Sequence, residues 1–137
     1  MSKEALRRGV LERVGVCPNT LVVCDDDDTL LRLREYLLRA GVPTRATRQL
    51  RDAWKSSDGE AIVLLPDDFA TGEVTDGLSR LLSRTQAPFL IIVTAGPRLF
   101  EPLIEELGNA DSVVIIPKPV WGWTILDLLR GWIGTRT

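Results

Sequence analysis

Short apolar runs alternate along this chain with longer amphipathic segments. Strands are predicted where apolar, often β-branched residues follow one another without interruption, at residues 20–24, 61–65, 88–94 and 113–116. A weaker run over residues 42–47 contains Pro43, which suits the edge of a sheet better than its centre. Helices are predicted where apolar residues recur every three or four positions, at residues 3–14, 29–40, 49–55, 78–84, 97–107 and 123–133. Strands and helices that alternate in this way predict one parallel α/β sheet preceded by an extra helix.

Individual positions within these segments give sharper predictions. Leu38 should face inward from the helix over residues 29–40, and Gly41 should end that helix. Gly77 closes a stretch that is typical of a loop, so the next helix should begin only at Leu78. Leu99 should be buried on the helix over residues 97–107.

The composition limits the class of protein. The 137 residues suffice for one domain with one core, which we place at residues 20–137, with residues 1–19 as a helical extension. A net charge of -2 gives no electrostatic footprint for nucleic acid. No apolar run approaches the roughly 20 residues of a membrane span, so we expect a cytoplasmic protein without membrane contact. Its two cysteines, Cys17 and Cys24, are too few to frame a fold and should be reduced.

Histidine is absent from the sequence. Its absence excludes Ser-His-Asp and Cys-His nucleophilic catalysis, as well as zinc sites with histidine ligands. Carboxylate chemistry is what remains.

Four consecutive carboxylates, Asp25 to Asp28, follow the first predicted strand. In an open α/β sheet, ligands bind at the carboxyl ends of the strands. Clustered carboxylates suit a hard cation, so we predict that Asp25 and Asp26 hold Mg²⁺ or take part in phosphate chemistry. We expect Asp28 to cap the helix that follows. The alternative is a loop that is simply solvated.

Other polar side chains follow the later strands. Asp67 and Asp68 come after the third predicted strand, Thr94 ends the fourth, and Lys118 follows the fifth. A parallel sheet would gather them at one edge together with Asp25 and Asp26. Carboxylates, a hydroxyl and an ammonium form a set that is suited to phosphoryl transfer.

At these positions the sequence resembles the receiver domain of two-component response regulators, over roughly residues 20–133. The matching motifs are Asp25-Asp26 after the first strand, Asp76-Gly77-Leu78, Val93-Thr94-Ala95 and Lys118-Pro119. The resemblance implies a flavodoxin-like sheet of five parallel strands in the order 2-1-3-4-5. It also implies that Asp25 and Asp26 bind Mg²⁺ and that Thr94 and Lys118 bind phosphoryl oxygens. An aspartate at the end of strand three would accept the phosphoryl group from a histidine kinase.

The acceptor position departs from the family pattern. Aligning the third strand puts Pro66 at the acceptor position, whereas counting from neighbouring elements favours Asp67 or, as second choice, Asp68. Ile115 stands where many receivers carry an aromatic residue. Both departures favour an atypical or degenerate receiver, which signals through protein contacts with or without phosphorylation and is not an enzyme. Trp121 and Trp123, if exposed, would anchor a signalling partner, and a homodimer is a further option.

Two other classes compete with this interpretation. Asp25-x-Asp27-x-Thr29 resembles the nucleophile motif of haloacid dehalogenase phosphatases, with Asp25 as nucleophile and Asp27 as acid/base. Those enzymes need a further acidic pair after the lysine, and the only carboxylate beyond Lys118 is Asp127, within a predicted helix. A flavodoxin-like cofactor binder is disfavoured because no phosphate-binding loop follows the first strand.

Overall fold

The computed structural model describes residues 18–56, 60–84, 88–107 and 112–136. In this part of the chain five parallel strands form one sheet in the order β2-β1-β3-β4-β5, as the sequence predicts. The helix predicted over residues 3–14, and with it most of the extension at residues 1–19, lies outside the described residues. The strands are β1 (Thr20–Val23), β2 (Thr44–Thr47), β3 (Ala61–Leu64), β4 (Phe89–Thr94) and β5 (Val113–Pro117).

The described residues also form four α-helices and three short 3-10 helices. The α-helices are α1 (Asp27–Arg39), α2 (Thr71–Leu82), α3 (Glu101–Leu107) and α4 (Gly122–Arg136). The 3-10 helices span Leu50–Lys55, Pro66–Asp68 and Pro97–Leu99. None of these helices is long and apolar enough, over the residues described, to cross a membrane.

The sheet has an apolar core on each face because successive strand residues point to opposite sides. Val22 of β1 faces α1 and α4, whereas Leu21 and Val23 face the side of α2 and α3. Strand β4 alternates in the same way, and all six of its residues are buried. As predicted, β2 lies at the edge of the sheet.

Helix α1 begins two residues before the predicted start. Asp26, and not Asp28, is its N-cap: Asp26 Oδ2 accepts hydrogen bonds from Thr29 N at 3.1 Å and from Thr29 Oγ1 at 2.5 Å. Asp27 and Asp28 therefore lie in the first turn, where carboxylates are favoured by the helix dipole. Gly41 follows the helix with a φ of 91°, which confirms the predicted glycine end.

Helix α2 begins at Thr71, so the predicted loop up to Gly77 is wrong. Gly77 lies within the helix, where a Cβ would come within 2.0 Å of the Trp54 indole. The glycine is thus a site of close packing against the 3-10 helix Leu50–Lys55. Arg84, just after α2, donates hydrogen bonds to the carbonyl oxygens of Trp54 and Ser56 and ties the two segments together.

Two apolar positions were predicted to be buried and are exposed. The helix expected over residues 97–107 is divided into a 3-10 turn and α3, and Leu99 in the turn is 61% exposed. Leu38 of α1 is 42% exposed, whereas Leu37 is fully buried. The stripe of α1 that faces the core is therefore narrower than the sequence suggests.

Candidate functional site

The carboxyl edge of the sheet brings together side chains from three different strand ends. Asp67 lies in the 3-10 turn after β3, Thr94 is the last residue of β4, and Lys118 directly follows β5. The backbone of Lys118 continues the pairing of these strands, since its N–H donates to Thr94 O at 3.2 Å. The three side chains are therefore positioned by the ends of three adjacent strands of one sheet.

The Asp67 carboxylate is the centre of this group. Thr94 Oγ1 donates to Asp67 Oδ1 at 2.5 Å. The backbone N–H of Ala95 donates to Asp67 Oδ2 at 2.9 Å, and Lys118 Nζ lies 3.2 Å from the same oxygen. The Thr94 hydroxyl in turn accepts from Gly96 N at 3.0 Å. Both carboxylate oxygens thus have donors, and one of these donors is charged.

These contacts determine the protonation of Asp67. Partial burial raises its pKa, but the hydrogen bonds from Thr94 and Ala95, together with Lys118, outweigh burial and hold the pKa below its ordinary value. Asp67 is therefore ionised at neutral pH. The carboxylate side chain is 27% exposed, so it remains accessible from solvent.

Pro66 explains why counting residues along the third strand does not identify the acceptor aspartate. The Pro66 ring is buried, and the chain turns there into a 3-10 helix instead of continuing the strand. The turn directs Asp67 toward Thr94 and Lys118, while Asp68 lines a neighbouring cavity. The geometry thus separates the two candidates, and the acceptor role of Asp67 stays a prediction.

The first acidic pair makes no described hydrogen bond or ion pair to Asp67, Thr94 or Lys118, although Asp26 lines a cavity next to Lys118. Asp25 Oδ1 accepts from Arg48 Nε and Nη2, both at 3.3 Å, and Asp26 is occupied with Thr29. The pKa of Asp26 is lowered, first by the hydrogen bonds from Thr29 and then by Arg32 and Arg48. Asp27 Oδ1 lies 3.8 Å from Arg48 Nη1.

The placement of these carboxylates does not fit a magnesium ion. Nowhere in the described ranges do three acidic or cysteine side chains lie together as a metal ion would require. The Mg²⁺ site at Asp25 and Asp26 stays a prediction that this arrangement does not favour, and no step of the chemistry proposed below uses the ion. Asp25 and Asp27, which a phosphatase would need as nucleophile and acid/base, are both held by Arg48.

A cavity of about 750 Å³ lies beside Lys118, between the start of α1 and the segment that follows β5. Its lining is both apolar and charged. The charged lining residues are two of each sign: Asp26, Asp68, Arg32 and Lys118. Cys24 also lines the cavity, and burial raises the pKa of its thiol, which is free.

Aromatic side chains are exposed next to this cavity. Trp121 is 69% exposed and Trp123 is 55% exposed. Between them the Gly122 backbone packs against Tyr36, since a Cβ at this glycine would lie 2.9 Å from the tyrosine ring. We call Tyr36, Trp121 and Trp123 the aromatic patch.

The sequence indicated Asp67, Thr94 and Lys118 but missed two participants. The Ala95 N–H carries no side-chain signal and depends only on how the chain turns after β4. Arg48 could have been suspected as a basic residue that follows the edge strand, but only the structure pairs it with Asp25.

Comparisons with known proteins show the fold. A response regulator receiver protein from Burkholderia phymatum, solved by crystallography, superposes with a TM-score of 0.59 and 17% sequence identity. The match covers 85% of this chain and 95% of that chain, so the fold that the resemblance implies is confirmed. No family model matches the sequence. Protein SHQ1 homolog from Xenopus tropicalis is 26% identical over 106 residues, which are 76% of this chain but only 16% of that relative.

Proposed function

We propose that this chain is a receiver-like signalling domain that acts through protein contacts and accepts a phosphoryl group on Asp67. The observation that supports this function is the Asp67 carboxylate between Thr94, Ala95 N–H and Lys118. The receiver-like fold agrees with a signalling role. The upstream partner in this proposal is a histidine kinase or another phosphodonor protein.

Groups at this edge can supply the nucleophile and positive charge for the transfer. An oxygen of Asp67 forms a bond to phosphorus while the bond from phosphorus to the donor's nitrogen or oxygen breaks, and the donor leaves with the electron pair. The lowered pKa keeps Asp67 ionised as nucleophile. Lys118 and the Ala95 N–H would offset the charge that develops on the phosphoryl oxygens.

Phosphoryl transfer would also rearrange the hydrogen-bond donors around Asp67. In the unphosphorylated structure both carboxylate oxygens of Asp67 already have donors. The Thr94 hydroxyl and Lys118 would therefore have to move from the carboxylate to the new phosphoryl oxygens. Thr94 is linked to Gly96, so its movement would reach the turn Pro97–Leu99, where Leu99 is exposed. Phosphorylation would thereby shift the population of two arrangements of this turn.

Intact mass after incubation with acetyl phosphate and Mg²⁺ tests the acceptor. We expect one added phosphoryl group on the native protein and on Asp68→Asn, and none on Asp67→Asn. The Asp68→Asn variant is the matched control because it removes one carboxylate from the same 3-10 turn. Circular dichroism should show that all three proteins are folded. A folded native protein that stays unlabelled would refute Asp67 as acceptor and leave a pseudo-receiver that works by contacts alone.

The aromatic patch is the surface that we propose for the signalling partner, because exposed tryptophans are frequent anchors of protein interfaces. We expect Trp121→Ala and Trp123→Ala to change the free energy of unfolding by less than about 0.5 kcal/mol. The buried Leu129 of the same segment is the control, and Leu129→Ala should cost about 2–5 kcal/mol. Urea unfolding measures both. If the tryptophan variants lose as much free energy of unfolding as Leu129→Ala, the tryptophans belong to the core and the aromatic patch is not a free surface for a partner.

A further inference from the structure

The cavity beside Lys118 has the size and the lining that are typical of sites for small organic molecules. Its volume of about 750 Å³ lies within the range of about 300–1,000 Å³ that such sites occupy. Leu65 and Val93, both buried, contribute apolar side chains to the lining, and the half-buried Val120 adds another. The exposed Trp121 also lines the cavity. An apolar group that enters would therefore exchange water for contact with these side chains.

The charged side chains of the cavity divide into two that are engaged and two that are not. Asp26 caps α1 through its hydrogen bonds, and Lys118 forms the ion pair with Asp67. Arg32 and Asp68 also line the cavity, but neither makes a hydrogen bond or an ion pair with any residue that the structure describes. Within the described residues the cavity thus presents one free charge of each sign.

The fold holds these two free charges on separate elements. Arg32 lies in the second turn of α1, and Asp68 ends the 3-10 turn after β3. The 3-10 turn is closed by Phe69 N, which donates to Pro66 O at 3.0 Å. Both charged side chains are exposed to solvent, so a ligand replaces only water around them.

We propose that this cavity binds a small zwitterion with an apolar body, of which an aromatic amino acid is the simplest example. Its carboxylate pairs with Arg32, its ammonium pairs with Asp68, and its ring lies against the apolar lining. A ligand with a single charge would meet one favourable and one repulsive side chain, whereas a zwitterion matches both. The proposal goes beyond the signalling function, because neither free charge contacts Asp67.

NMR titrations of the whole chain at pH 7 test the proposal with three probes that share one carbon skeleton. L-phenylalanine carries both charges, 3-phenylpropionate lacks the ammonium, and 2-phenylethylamine lacks the carboxylate. We expect L-phenylalanine to bind about two- to fivefold more tightly than either of the others, as one additional exposed ion pair predicts. The indole N–H of Trp121 should shift during the titration. That of Trp54, which packs against Gly77 and does not line the cavity, should not.

Two variants assign each charge of the ligand to its partner. Asp68→Asn should bind L-phenylalanine about two- to fivefold more weakly but 3-phenylpropionate more tightly, because the repulsion between carboxylates is gone. Arg32→Gln should likewise weaken L-phenylalanine and favour 2-phenylethylamine. A residue that only shapes the cavity would change the affinities of all three probes in the same direction.

Arg34→Gln is the matched control, because it removes the same charge from the same helix at a position that does not line this cavity. It should leave all three affinities unchanged. The proposal is overturned if L-phenylalanine causes no shift at Trp121 up to its solubility limit, or if it binds no more tightly than the singly charged probes. It is also overturned if Arg34→Gln has the effect of Arg32→Gln. The titrations measure ligand binding alone, so their result does not depend on whether Asp67 accepts a phosphoryl group.

Discussion

Gly77→Ala is expected to destabilise the domain by about 2 kcal/mol, although alanine is the better helix former. The new Cβ would lie 2.0 to 2.5 Å from three atoms of the Trp54 indole, a separation that no carbon contact tolerates. Either the indole must rotate away or α2 must move from the 3-10 helix Leu50–Lys55. Overpacking of this kind costs about 1–3 kcal/mol and outweighs the gain of up to about 1 kcal/mol in helix propensity.

Two further variants make this prediction specific. Gly72→Ala lies in the same helix with nothing within 4 Å of the added Cβ, so it should leave the protein as stable or slightly more stable. In a Trp54→Ala background the clash is gone, and Gly77→Ala should become neutral or stabilising. Urea unfolding of the native protein, Gly77→Ala, Trp54→Ala and the double variant gives the coupling between positions 54 and 77. A destabilisation that persists without the indole would show that contact with Trp54 is not its cause.

The same glycine shows where sequence reasoning fails. Glycine is frequent in loops, so the sequence predicts a helix that begins only at Leu78, whereas helix α2 begins seven residues earlier, at Thr71. The competing reason for a glycine, close approach of another side chain, depends on Trp54, which is distant in sequence. The sheet was easier to predict because each buried strand carries its own apolar run, so all five strands were found, and the strand order that the resemblance implies is confirmed.

The acidic loop, residues 25–28, shows a second limit. Any of its four aspartates satisfies the composition rule for an N-cap, and only the path of the backbone selects Asp26. The ion pair between Asp25 and Arg48 joins residues that are 23 positions apart. Counting from neighbouring elements left both Asp67 and Asp68 open, because the partners of Asp67 depend on the turn that Pro66 starts. Local patterns therefore identified the polar residues but not how they pair.

Thr94→Val is expected to destabilise the domain by about 2 kcal/mol at pH 7 and by clearly less at pH 2.5. Valine keeps the shape of the buried threonine but removes the hydroxyl that donates to Asp67 and accepts from Gly96 N–H. A hydrogen bond to an ionised carboxylate contributes about 1.5–3 kcal/mol, and the partial exposure of Asp67 reduces that figure.

The pH dependence follows from the direction of the Asp67 pKa. The pKa of Asp67 is lower in the folded state than its unfolded value of about 3.9. The carboxylate therefore stabilises the fold above the unfolded pKa, and this contribution is lost as the pH falls through the folded-state pKa. Removing the Thr94 hydroxyl raises the folded-state pKa toward the unfolded one. The native protein should therefore lose more stability than Thr94→Val as the pH falls from neutral to 2.5.

Urea unfolding at the two pH values measures this difference, and the comparison cancels the titration of carboxylates that Thr94 does not touch. Thr94→Ser retains the hydroxyl, so the stability that this variant loses relative to the native protein should be nearly the same at both pH values. An Asp67→Asn background should remove most of the pH dependence of Thr94→Val, because asparagine does not titrate. A Thr94→Val cost that is equal at pH 7 and pH 2.5 would mean that the threonine only fills space. In that case the bond from Thr94 to Asp67 could not prepare this carboxylate for phosphoryl transfer, and the argument for Asp67 as acceptor would rest on Lys118 and Ala95 alone.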